Sequence, residues 1–120
     1  MSILITVKKS LGIDQNYEAF DTDILMHINS VLATLNQLGI GPENGFQVED
    51  NTATWESFLG SDLRLNNVKS FVYLKVRLLF DPPATSFAIK AMEDLAKELE
   101  YRINTFREVK KWDTEHPVTP

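Results

Sequence analysis

From Leu65 to Phe80 the chain is apolar at nearly every step: Val68, Phe71, Val72, Tyr73, Leu74, Val76, Leu78 and Leu79, with Lys69, Lys75 and Arg77 between them. A helix apolar on so many sides is usually central, with its lysine and arginine stems running along apolar neighbours to bring their charges to water. Asp81-Pro82-Pro83 ends it, because a residue before proline is biased away from helical angles and proline cannot continue the ladder. With 120 residues, 43% of them hydrophobic, the chain has enough for one core around this segment and no more.

The remaining elements follow from period and caps. Ile24, Leu25, Ile28, Val31, Leu32, Leu35 and Leu38 recur at three- and four-residue steps, which predicts an amphipathic helix capped at Asp21-Thr22-Asp23 and ending at Gly39. Thr6 is a candidate cap for a short helix over Val7–Leu11 that stops at Gly12, while Ile3-Leu4-Ile5 reads equally as strand or helix. Between Pro42 and Asp62 the period dissolves, although Trp55, Phe58 and Leu59 fit one helical turn over the core. A last helix starts near Thr85 or Ser86 and is expected to run to about Phe106, striped by Ala88, Met92, Leu95, Leu99, Ile103 and Phe106. Glu93/Lys97 and Glu98/Arg102 support its outer face. The fold class is therefore all-α, a small bundle of about four helices with an irregular middle segment and an extended C-terminal tail. Its expected core packs Ile28, Leu32, Leu35, Phe71, Val72, Leu79, Leu95 and Leu99 together. Residues 1–107 form the helical domain, and residues 108–120, where the apolar period is lost, form the tail.

No cysteine is present, which removes disulfides and thiolate zinc sites and agrees with a reducing compartment. The apolar runs are too short to span a bilayer, and no basic stretch precedes a long apolar one, so neither membrane insertion nor a signal peptide is expected. The net charge is −5, unevenly spread. Residues 43–62 hold five acids and no base, whereas residues 63–111 hold ten bases and six acids. Surface charge often only solubilises, but this polarity also suits docking of one copy on the next. Under that reading Glu49, Asp50 and Glu56 on one side meet Lys90 and Arg102 on the other.

Residues suited to chemistry do not assemble into a site. Asp23 and His27 are four apart on one helix, but two ligands are too few for a metal, and none is expected. His116 has no identifiable catalytic partner, and no Gly-x-Ser-x-Gly elbow occurs. Gly39-Ile40-Gly41-Pro42 follows a helix instead of preceding one, so it is a cap and turn, not a phosphate loop. Glu49-Asp50 reads as a solvated acidic stretch. Neither an enzyme nor a cofactor is expected. The basic residues of the second half are interleaved with acids in an acidic chain, which weakens a nucleic-acid reading. Trp112, in a polar stretch, either folds back on the domain or anchors a partner.

Several segments carry a resemblance. Leu4-Ile5-Thr6-Val7-Lys8-Lys9-Ser10-Leu11-Gly12-Ile13, Phe20-Asp21-Thr22-Asp23-Ile24-Leu25, His27-Ile28-Asn29-Ser30 and Gln37-Leu38-Gly39-Ile40-Gly41-Pro42 come in that order. They are followed by Tyr73-Leu74-Lys75-Val76-Arg77-Leu78-Leu79-Phe80-Asp81-Pro82-Pro83 and a long charged helix. Together they resemble the small head–tail connector (adaptor) proteins of long-tailed bacteriophages and prophages, over the chain up to about residue 106. The resemblance implies a non-enzymatic ring, a cyclic homo-oligomer under the portal protein that continues the DNA channel and carries the next neck or stopper protein. It places the protein in the virion neck after assembly and in the bacterial host cytoplasm before it. It also implies that residues 107–120 reach onto the portal, which makes Lys110, Lys111, Trp112 and His116 the expected partner-binding residues. The alternative is a small helical regulatory or DNA-associated protein, which would bind duplex DNA tightly and in a salt-sensitive way.

Overall fold

A computed structural model describes residues 1–60 and 66–115 of the chain, and side chains as far as Thr105. Five helices occur among these residues: α1 (Ile3–Ser10), α2 (Asp21–Gln37), α3 (Trp55–Leu59), α4 (Asn67–Phe80) and α5 (Ser86–Glu115). The described residues contain no strand beyond a single antiparallel bridge between Ser2 and Thr54. The expected all-α bundle is what forms, and the single turn expected at Trp55–Leu59 forms as α3, which brings the described helices from the expected four to five.

α4 is the centre, packed against α5 on one side and against α2 and α1 on the other. Val68, Phe71, Val72, Leu74 and Val76 are buried along it, which explains why its sequence is apolar in so many directions. α2 contributes Ile24, Ile28, Val31, Leu32 and Leu35, and α5 contributes Ala96, Leu99 and Ile103. Of the eight residues expected at the core, six are buried there. Leu79 is 53% exposed: it lies a turn beyond Val76, the last fully buried residue of α4, while its neighbours Leu78 and Phe80 stay half-buried. Leu95 is 44% exposed because the line of burial on α5 runs through Ala96, Leu99 and Ile103 and leaves it at the edge.

The helix starts differ from expectation in two places. α1 begins at Ile3 and takes in the whole Ile3-Leu4-Ile5 run, capped by Ser2, whose Oγ accepts from the Ile5 amide at 3.2 Å. Thr6 is not its cap; its hydroxyl donates to the Ser2 carbonyl at 2.6 Å. Tertiary pairing decides this start, since the Ile3 amide donates to the Ala53 carbonyl and the Trp55 amide to the Met1 carbonyl, at 3.0 and 3.1 Å. That clasp fixes the first residues against the approach to α3 and sinks Ile3, Leu4 and Val7 into the core. α2 starts after Phe20 with no side-chain cap, because Asp21 is drawn instead to Lys8.

The middle segment is irregular in conformation but fixed in place. Ile40, Val48, Trp55 and Phe58 are all buried. Asn29 on α2 replaces a missing strand partner: its Nδ2 donates to the Val48 carbonyl at 2.9 Å, and its Oδ1 accepts from the Val48 amide at 2.7 Å. Asn36 donates to the Pro42 carbonyl at 2.6 Å and holds the turn after α2. Gly41 sits in that turn at φ 88° with Phe58 so close that a β-carbon would stand 2.5 Å from its ring, so no other residue fits without rearrangement. α5 is capped by Thr85, whose Oγ1 accepts from the Ala88 amide at 3.1 Å. The helix then continues through Glu115, past the expected end near Phe106, so loss of apolar period does not end the helix there.

Candidate functional site

Lys8 organises one flank of the molecule. It is 1% exposed, yet its ammonium group is provided for: Nζ donates to the Tyr17 carbonyl at 2.6 Å and the Gln15 carbonyl at 3.1 Å. Nζ also forms an ion pair with Asp21 Oδ1 at 2.8 Å. A buried cation is tolerated only when paired and hydrogen-bonded in this way. The effect is to tie the connection between α1 and α2 to the core at three points, and that connection carries Tyr17, Glu18 and Phe20 to the surface.

Two openings flank this tied connection. The first is a cleft of about 300 Å³ bordered by Glu18, Asp21, Glu49 and Asp50, with Lys8 at its floor. These carboxylates do not converge: among the described residues no group of three or more His, Cys, Asp or Glu side chains stands close enough to hold a metal. The second is an open groove of about 450 Å³ walled by Leu11, Ile13, Phe20 and Phe80 and rimmed by Asp23 and Asp81. Its two aromatics are in contact, Phe20 edge-on to Phe80 at 5.5 Å, and Tyr17 backs Phe20 at 5.6 Å. His27 stands edge-on to Phe80 at 6.4 Å without lining the groove itself, whereas Asp23 does line it.

The acidic residues expected at a subunit interface are thus divided. Glu49 and Asp50 share the cleft with Glu18 and Asp21. The Thr52 hydroxyl and then the Thr52 amide, both bonded to Asp50 Oδ1, hold the Asp50 carboxyl below the usual carboxylate range, so its charge persists into mildly acidic solution. Glu56 stands apart on α3, 3.1 Å from the α-amino group of Met1. Its carboxyl is also held low, first by its own backbone amide and then by that amino group. On the opposite flank Lys90 pairs with Asp94 at 3.5 Å and Arg102 with Glu98 at 2.5 Å, all on the surface of α5. Glu93 and Lys97 border a small cleft between α5 and α4. Of the residues expected to bind a partner, Lys110, Lys111 and Trp112 fall on the last turns of α5, where side chains are outside the described residues, and His116 lies outside them altogether.

Sequence reasoning missed Lys8 as an organiser and the groove as a unit. Lys8 stands in the last turn of α1 with Lys9, nothing in its sequence neighbourhood sets it apart, and its partners at Gln15, Tyr17 and Asp21 follow no period. The groove draws on the end of α1, the start of α2 and the end of α4. A usable signal existed in the two Phe-Asp steps, Phe20-Asp21 and Phe80-Asp81, each placing an aromatic beside an acid at a helix boundary.

An acidic, aromatic-walled flank and a charged long helix, set on either side of one central helix, make this a small all-α protein with two unlike side faces. The chain matches the sequence model of a family described as phage connector protein over residues 3–110, and it belongs to that family. No curated protein and no solved structure matches it. No helix among the described residues is long and apolar enough to cross a membrane.

Proposed function

We propose that this connector acts by assembly, not catalysis: copies form a closed ring under the portal of a phage head, continue the DNA channel and present a platform to the next neck protein. The observation that carries this reading is the family match over residues 3–110, which takes in all five helices but the last turn of α5. The unlike side faces support it, since a cyclic ring repeats one contact between two different patches of each subunit. In the ring, the acidic face of Glu49 and Asp50 lies toward the α5 face of a neighbour, which bears Lys90 and Arg102. The protein then resides in the host cytoplasm before assembly and in the virion neck afterwards.

The C-terminal segment is the portal-docking element in this proposal. Trp112 supplies the apolar anchor, with Lys110, Lys111 and His116 around it. Removal of residues 108–120 is expected to abolish attachment to purified portal or DNA-filled capsids while leaving the melting temperature nearly unchanged. Ile103 is the last buried residue of α5 among those described, and the proposal assigns the segment beyond it to the portal. Trp112→Ala alone is expected to weaken binding by about 2 kcal/mol, the usual cost of an aromatic anchor. Equal binding by the truncated and full chains rejects the docking role.

The side-to-side contact has its own test. Glu49→Lys with Asp50→Lys is expected to weaken self-association, measured by sedimentation velocity with and without portal, and to leave circular dichroism unchanged, because both residues are exposed. Assembly of the double variant at wild-type strength removes these two carboxylates from the interface.

A further inference from the structure

Phe87, on the first turn of α5, is 85% exposed, more than any other bulky apolar side chain among the described residues. A single exposed phenylalanine is unremarkable. What gives it meaning is the groove of Leu11, Ile13, Phe20 and Phe80 at the same end of the molecule. Phe80 closes α4, and Phe87 opens α5 just beyond the short connection. Because α4 lies between α2 and α5, the groove opens on the α2 side, while Phe87 stands on the side of α5 turned away from the buried line of Ala96, Leu99 and Ile103. An apolar projection on α5 and an apolar recess on the other side of α4 are therefore two unlike patches of one subunit, which is what a head-to-tail contact between copies joins.

The charges agree with the shapes. The rim of the groove carries Asp23 and Asp81. Arg77 directs Nε to the Asp81 backbone carbonyl at 3.0 Å and Nη1 to the Tyr73 hydroxyl at 3.3 Å. Lys90 follows Phe87 by three residues, so both point to the same side of α5. Its side chain is 79% exposed, and its pair with Asp94 is a long surface contact that costs little to exchange.

We infer that Phe87 of one copy seats in the groove of Leu11, Ile13, Phe20 and Phe80 of the next, with Lys90 facing the Asp23 and Asp81 carboxylates. This contact names the seat of the ring interface and rests on the ring reading above. It adds the end of α4 and the connection after α1 to the acidic face, beside the cleft of Glu49 and Asp50.

Photo-crosslinking of the full chain tests it. Benzoylphenylalanine is introduced at position 87, isotopically heavy and light copies are mixed, and crosslinked peptides are identified by mass spectrometry. The expected result is heavy–light pairs attached at residues 11–13, 20 or 80. Attachment elsewhere overturns the seat. Phe87→Asp is expected to abolish self-association without lowering the melting temperature, since a carboxylate in the first turn of a helix is favourable; association at wild-type strength also overturns it. Sedimentation of the unmodified chain separates the two levels of inference. Larger assemblies with crosslinks outside the groove leave the ring standing and remove the seat, and crosslinks in the groove with assembly halted at two copies do the reverse. No association, alone or on portal-bearing capsids, removes both.

Discussion

Phe71→Ala is expected to lower the unfolding free energy by about 3–5 kcal/mol, measured by urea denaturation, the range for truncating a buried aromatic. Phe71 is 2% exposed on the central helix and faces α5, where it borders the small cleft with Ala96. Two terms add in such a change: the apolar atoms lose their transfer from water, and the surrounding side chains lose contacts they recover only if the site collapses. Collapse is restricted here because α4 is held from both sides, by α5 and by α2 with α1. For a domain of this size the loss is a large share of total stability, so the variant is expected to be partly unfolded at the growth temperature of a bacterial host. A cost below about 1 kcal/mol shows that α5 moves in to refill the space.

Lys8→Met is expected to cost about 3 kcal/mol, at the low end of the range for breaking a buried ion pair because Asp21 keeps 24% of its side chain in contact with solvent. Methionine fills the same volume but leaves the Gln15 and Tyr17 carbonyls and the Asp21 carboxylate without their cation. Asp21→Asn is the informative comparison. It removes the ionic contact alone and keeps both carbonyl bonds to Lys8, so its cost is expected to be about 1 kcal/mol. The ordering of the two variants in chemical denaturation is the measurement that matters. Equal costs mean that the carboxylate holds the lysine and the carbonyls add nothing. Lys8→Met is also expected to loosen Tyr17 and Phe20, and with them one wall of the groove, which faster amide exchange across residues 14–20 reports.

Much of this architecture is legible in the sequence where period and punctuation agree. The near-continuous apolar run ended by Asp81-Pro82-Pro83 places the central helix, and the steps from Ile24 to Leu38 place α2. The single turn at Trp55–Leu59 is legible because Thr54 and Ser57 form a reciprocal cap ahead of its apolar residues. What escapes local reading depends on partners distant in the chain. Ser2 caps α1 because Ala53 and Trp55 pair with the residues around it, and Asp21 fails to cap α2 because Lys8 claims it. Leu79 and Leu95 have the right residue type at nearly the right phase, but burial stops short of one and runs beside the other. The residues expected at a subunit interface show the same limit. Their charges are visible along the chain, yet only the fold puts Glu49 and Asp50 beside Glu18 and Asp21 and leaves Glu56 elsewhere.

The clasp between the first residues and the approach to α3 bears on the order in which the molecule is made. Contacts between α4 and α5 need only the short connection Asp81–Thr85 to close, whereas pairing Met1 and Ile3 with Ala53 and Trp55 must close a loop of half the chain's first hundred residues. Loop closure costs entropy that rises with length, and local contacts form first. Phe87 and Phe80 are therefore expected to be in place early. Leu11, Ile13 and Phe20 complete the groove only after α1 is clasped and Lys8 has gathered the connection behind it. On the proposed ring reading, a half-folded copy presents a projection but no recess, so it can join a growing ring while no further copy can join it. Closure of the proposed ring in that way selects for subunits that have finished folding.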